Sequence, residues 1–317
     1  MKNKQFDVSV IGELNIDIIL NQNDSFPKMG REILAKQMNI TLGSSSAIFA
    51  SNLSSLGARV AFIGKLGRDL FGGMVMQTLH DSKVETSAIK QHDELSTGAT
   101  IVLNFGEDRA MVTHPGAMEH LTVEDIDWNI IQRSSHLHFS SFFIQKGIQK
   151  DIGNIFKEAK KLGLTTSFDM QWDPAEKWDI DLAAILPHVD IFLPNETELL
   201  QITNCSSVEE AMAQISGMAN LIVVKQGNKG STSFTGGKAL FQPAFLNNNV
   251  VDAIGAGDSF NAGFIYKFIQ HQPVEACQEF GNLTGAISTT AAGGTTAFKD
   301  KENILKTAKE KFGYAGK

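Results

Sequence analysis

The chain has 317 residues, 42% of them hydrophobic, and a formal net charge of −7. That size supplies a full hydrophobic core, and the acidic balance argues against a nucleic-acid or anionic-membrane surface without excluding a single bound nucleotide. Cys205 and Cys277 stand far apart in no ligand or redox spacing, the N-terminus lacks a secretory leader pattern, and no apolar run spans a bilayer, so a cytoplasmic protein is expected.

In chain order, residues 8–11 read as an apolar strand ending at Gly12. Residues 14–18 alternate, which puts Asn15 and Asp17 on one face, either as a polar pair for hydroxyl groups or as a solvent face. A strand region over 30–42 leads to Gly43-Ser44-Ser45-Ser46. A helix follows, with Phe49, Ala50, Leu53 and Leu56 inward and Gly57 as its stop. Residues 60–63 form a strand and 64–73 a glycine-rich connection. Alternation over 98–105 and 109–114, around Gly106-Glu107-Asp108, predicts a hairpin. These early segments, within 12–42 and 96–116, have little helix to cover them and are expected to form a small β-sheet, a lid. Apolar strands then recur at 137–139, 164–168, 189–193 and 221–224, the first three followed by helices, before a late hairpin over 231–241. The pattern is that of an α/β fold with a mostly parallel central sheet and helices on both faces. No linker or repeat divides it, so residues 1–317 are expected to form one domain.

A parallel sheet presents its binding groups past the carboxyl ends of its strands. Here those positions are Gly12, Ser140, Asp169, Asn195, Lys225 and the Gly255 loop. Asn195 and Glu198, three apart at a helix start, suit the water shell of Mg2+ or, alternatively, a capping box. The run Lys225-Gln226-Gly227-Asn228-Lys229-Gly230 suits support of a nucleotide or an ordinary hairpin turn. Asp252 either binds a monovalent cation or caps a turn. His136 and His138 alternate on a strand without a third ligand, which favours solvent or core over a metal.

The most informative stretch runs from Val250 to Phe264. Val250 and Val251 are expected to close a short strand. Gly255-Ala256-Gly257 then admits a ligand to the backbone, and Phe260, Phe264 and Phe268 mark a helix beginning near Asp258. Unpaired N–H groups at that start make an anion hole, and Asp258 beside it reads as a base for a hydroxyl; the plainer reading is an acid that complements the helix dipole. A P-loop, a complete dinucleotide fingerprint and a nucleophile elbow are all missing.

Together these residues resemble the ribokinase-like (PfkB) carbohydrate kinases over nearly the whole chain. Residues 12–17 are similar to the family's first strand and substrate turn, 43–73 to its N-terminal signature, 195–198 to its N-x-x-E motif, and 252–265 to its C-terminal signature, the most specific of the four. The resemblance implies ATP and Mg2+ as cofactors and Asp258 as base, with Gly255, Ala256 and Gly257 as the anion hole. It implies Asn195 and Glu198 at hydrated Mg2+, with Asn195, Lys225, Gly227, Gly230 and Asn282 around ATP. Asn15, Asp17, Gly43, Ala47 and Ile48 would meet the sugar, and Asp252, Ile254, Ser288, Ala291 and Gly293 a monovalent cation such as K+. The chain departs from the pattern at Ala253 and Ile254, where Thr is usual, and at Ile48 and Met118, where Asn is usual. It also has no Lys within 43–47. These departures point away from ribose and from phosphorylated sugars. The expected reaction is transfer of the γ-phosphoryl group of ATP to a hydroxymethyl hydroxyl of a neutral sugar or sugar-like molecule. A nucleoside kinase and a non-catalytic sugar- or nucleotide-binding regulator are the alternatives, and a homodimer through the lid is the expected assembly.

Overall fold

The computed structural model describes residues 4–23, 25–105 and 108–315. Its main sheet runs, edge to edge, Lys238–Pro243, Gly230–Thr235, Leu221–Lys225, Ile191–Phe192, Thr165–Asp169, Ser134–Ser140, Phe6–Ile11, Val60–Gly67 and Glu85–His92. Neighbours are parallel except at the first edge, where 221–225, 230–235 and 238–243 pair antiparallel. The alternation of the strands sorts the core into two layers. Ile11, Ile63, Leu137, Phe139, Phe168, Ile222 and Val224 pack on one face, while Val8, Val10, Phe62, Ile191 and Val223 pack on the other. Side chains of this size contribute about 1.5–3 kcal/mol each when fully buried.

The expected lid is a separate sheet in the order Ala35–Leu42, Asn15–Asn23, Gly98–Phe105, Asp108–His114. It is antiparallel except where Asn15–Asn23 meets Gly98–Phe105 in parallel register. The pairing Phe105↔Asp108 closes the expected hairpin; its turn at Gly106 and Glu107 lies outside the described residues. In register, Ile40, Ile18, Ile101 and Val112 form one cross-strand row, and Ile40, Ile101 and Val112 are exposed.

Two local expectations are corrected. Val250 and Val251 form no strand: no neighbouring strand pairs with them among the described residues, and they stand 57% and 62% exposed. β-Branching favours a strand only where a sheet offers packing. Residues 64–73 are not a connection, because the strand continues to Gly67 and a helix, Leu70–Asp81, starts on Asp69 as N-cap. The glycines there serve close packing: a Cβ on Gly72 would lie 2.2 Å from the Gly67 carbonyl oxygen. The edge strand Glu85–His92 went unread because its partly exposed polar residues carry no clean alternation.

His136 and His138 are core residues. The ring nitrogens of His136 pair with Thr165 Oγ1 (2.8 Å) and Ser167 Oγ (2.7 Å), while His138 Nδ1 shares Ser167 Oγ and its ring stacks on Phe49. Burial pushes His136 down to about 3 and His138 well below the usual histidine range, so both are neutral. Among the described residues no helix is long and apolar enough to cross a membrane.

Candidate active site

The helix Ala256–Phe268 begins on Gly255, whose φ of 73° is left-handed. Ala256 N–H donates to Ala253 O, and the helix ladder starts with Ser259 N–H on Gly255 O (2.8 Å). The N–H groups of Gly257 and Asp258 fall ahead of that ladder, at the positive end of the helix dipole. A Cβ on Gly255 would sit 2.6 Å from Gly294 Cα and 3.2 Å from Ile48 Cγ2, so the loop is closed from behind by another backbone. Gly255→Ala therefore combines a left-handed strain with a backbone collision. We expect it to lose about 2 kcal/mol or more of stability, read as a lowered midpoint in urea unfolding, whereas an unchanged midpoint would show that the loop can shift freely.

Beneath this loop lies a buried charge cluster. Lys225, at the end of its strand, puts Nζ 2.6 Å from Asp169 Oδ2 and about 3.8 Å from where a Gly257 Cβ would stand. Burial pulls the Lys225 ammonium down, and the charges of Asp169 and Glu198 more than restore it, so it is raised overall. Asp169 Oδ2 also accepts from Asn261 Nδ2 (2.5 Å) and Gln171 Nε2 (2.9 Å), and the same Gln171 amide donates to Asp258 Oδ1 (3.1 Å). Burial, and then the charge of Asp169, raise Asp258 to about 6, with Lys225 acting in the other direction. A carboxyl so poised is ionised at neutral pH yet basic enough to receive a proton.

The residues expected on the acceptor side meet where the two sheets join. Asn15 Nδ2 donates to Thr100 Oγ1 (2.9 Å) and Asp17 Oδ1 (3.4 Å), and Asn15 Oδ1 is buried without a protein partner. Both residues are buried, so the solvent-face reading of this pair is not what the fold adopts. Burial is the main cause that lifts Asp17 to about 7, and the charges of Asp258 and Asp252 add to it. Gly43 leaves the room these carboxamide and carboxylate groups occupy, since its Cβ would fall 2.3 Å from Asp17 Oδ1. Ala47 is wholly buried and its N–H is taken by Ser44 Oγ (3.0 Å). Ile48 is also buried, against Gly255 and Gly294, and so forms the floor of the site more than a surface within it.

Both readings of the Asn195–Glu198 pair hold in one geometry. Asn195 Oδ1 accepts from Glu198 N–H (2.8 Å) and Glu198 Oε2 accepts from Asn195 N–H (2.9 Å), a reciprocal capping box. Glu198 is nevertheless buried, and burial followed by the charge of Asp169 lifts it to about 7. Asp169, Glu198 and Asp258 thus crowd buried carboxyl groups around Lys225. Among the described residues, no cluster of three His, Cys, Asp or Glu side chains could enclose a metal by itself.

Other expected site residues are tied into the scaffold. Gly227 (φ 55°) opens a tight turn, and Gly230 is required by close pairing, since a Cβ there would lie 2.0 Å from Gln242 O. Asn282 Nδ2 donates to Gln242 O and Pro243 O. Asp252 accepts from Ile254 N–H (2.9 Å) and Gly293 N–H (3.0 Å), and Ser288 Oγ reaches Ile254 O at 3.5 Å. Asp252, Ile254, Ser288 and Gly293 are therefore neighbours, with Ala291 on the segment that joins the last two.

Residues 5–301 match the sequence profile of the pfkB family of carbohydrate kinases. The chain belongs to that family. As a member of the pfkB family it is a carbohydrate kinase. It is 29% identical to an uncharacterised sugar kinase of Archaeoglobus fulgidus over 234 residues, 74% of this chain and 92% of that one. Its fold is similar to adenosine kinase of Sinorhizobium meliloti (TM-score 0.82, 23% identity, 92% and 95% of the two chains). It is also similar to Arabidopsis thaliana ribokinase complexed with ribose and ATP (TM-score 0.80, 24% identity, 95% and 98%).

Two parts of this pfkB site escape the sequence reading. Glu13 is fully buried, accepting from Ser46 N–H, Ser46 Oγ and Ser141 Oγ, and it anchors the Ser44–Ser46 turn. Gln171 bridges two acids. Its one signal in the sequence was a position two residues beyond the strand-end Asp169.

Proposed function

We propose that the chain transfers the γ-phosphoryl group of ATP to a hydroxymethyl hydroxyl of a neutral sugar or sugar-like acceptor, with Asp258 as base. The observation that carries this reading is the placement of Asp258. Its carboxyl lies in the first turn of the helix, where the Gly257 and Asp258 N–H groups stand ahead of the helix ladder, and the Gln171 amide holds its Oδ1 at 3.1 Å. Asn15, Asp17 and Gly43 hold the acceptor, and the Gly255–Gly257 loop receives the phosphoryl group. Asn195 and Glu198 hold hydrated Mg2+, which when bound neutralises phosphate charge. Lys225 keeps positive charge beneath the loop, and the backbone of the 227–230 turn and the region of Asn282 border ATP. The meeting of Asp252, Ile254, Ser288 and Gly293, with Ala291 on the joining segment, suits a monovalent cation such as K+. The absence of a Lys or Arg within 43–47 favours an uncharged acceptor. The apolar outer face of the lid, with Ile40, Ile101 and Val112, suits pairing with a second copy.

An ADP-release screen with ATP and Mg2+ over sugars, sugar acids and nucleosides tests the reading. Turnover of neutral sugars is expected. Turnover of nucleosides alone would assign a nucleoside kinase, and the lack of any turnover would leave a binding protein on a kinase scaffold.

A further inference from the structure

Gln171 sits two residues past the strand that carries Asp169, and its φ of 60° is disfavoured for any side chain with a Cβ. The segment that follows holds it there. The Asp173 carboxylate accepts from the N–H groups of Ala175 (2.9 Å), Lys177 (2.8 Å) and Trp178 (2.7 Å). Trp172 packs edge-on against Trp178 at 5.0 Å, and Trp178 against Phe143 at 5.6 Å. Glu176 and Trp178 are also left-handed, with φ of 53° and 54°. A segment with this many fixed N–H groups and ring contacts is a built support, and what it supports is an amide aimed at Asp258.

We propose that Gln171 is the positioning residue for the base: its amide N–H fixes Asp258 Oδ1, leaves the other carboxylate oxygen for the acceptor hydroxyl, and ties the base to the Asp169–Lys225 ion pair. This rests on the role given to Asp258 above. The geometry is specific. Both amide hydrogens are used, one on each acid, so the side chain sets the separation of two carboxylates that would otherwise repel. A donor on the ionised carboxyl also favours that form, opposing the charges of Asp169, Glu13, Asp17 and Glu198 that face Asp258, alongside Lys225. Gln171→Met keeps the length of the side chain and removes the donor. Gln171→Gly removes the donor and relieves the backbone, which covers the case in which the first variant fails to fold.

The substrate-free readout is a carboxyl 13C titration of the aspartates, with the Asp258 resonance assigned by its loss in Asp258→Asn. The expected result in both variants is an Asp258 midpoint about one pH unit higher, a tenfold gain in proton affinity. With an acceptor from the screen, kcat should fall about tenfold while KM for ATP holds, and the acid limb of kcat/KM should move with the midpoint. An Asp258 midpoint unchanged in both variants, or an unchanged kcat, overturns the proposal. If the wild type turns over no acceptor, the kinase reading falls instead, and with it the role of the contact in positioning a base. An unmoved midpoint in an active enzyme rejects the role of Gln171 alone.

Discussion

Asp258→Asn is expected to fold as the wild type does and to lose about three or more orders of magnitude in turnover, the upper end of general-base contributions. Asparagine keeps the shape of the side chain and can still accept from the Gln171 amide. It also removes a charge that Asp169 repels, so thermal stability should hold or rise. What is lost is the one function that needs a basic oxygen. The wild type should show the matching pH dependence. Burial and Asp169 raise Asp258 to about 6, and a base works only when ionised, so kcat/KM should fall as pH drops through about 6 and level off above it. In the variant that limb should vanish. An ADP-release assay at several pH values reads both effects, and near-normal turnover by the variant would remove Asp258 from the chemistry.

Lys225→Met is expected to destabilise the fold by about 3–5 kcal/mol, because it leaves Asp169 buried and charged without its cation. Asn261 and Gln171 still donate to Asp169, but an amide does not neutralise a carboxylate. Glu198 and Asp258 also lose the positive charge that offsets burial in each. The remedy is equally specific: combining Lys225→Met with Asp169→Asn removes both charges and should recover most of the loss. Urea unfolding of the two single variants and the double variant measures this. Strict additivity of the two single changes would show that the pair is not coupled. The single Lys225 variant should also carry a higher acid limb, since its ammonium lowers Asp258.

Much of this arrangement was legible in the sequence because a parallel sheet fixes where strand ends point. Asp169, Lys225, Asn195 and the Gly255 loop each follow a strand or open a helix, and the sheet order brings those ends to one edge. The helix behind Asp258 was visible in the spacing of Phe260, Phe264 and Phe268. Side-chain commitments were less visible. Asn282 could be placed near the right element, yet its amide goes to two backbone carbonyls, which depends on how a distant strand ends. Gln171 was hidden for the opposite reason. Its role comes from a left-handed backbone and a contact to a residue 87 positions later, neither of which leaves a periodic trace. Val250 and Val251 misled because strand propensity says nothing about whether a neighbouring strand is present to pair.

A crystal structure grown with ADP, Mg2+ and aluminium fluoride would place the migrating group. The fluoride is expected within about 3 Å of the Gly257 and Asp258 N–H groups, with the Asp258 carboxylate on its acceptor side. Fluoride bound away from the Gly255–Gly257 loop, with Asp258 turned from it, would rule out phosphoryl transfer at that loop.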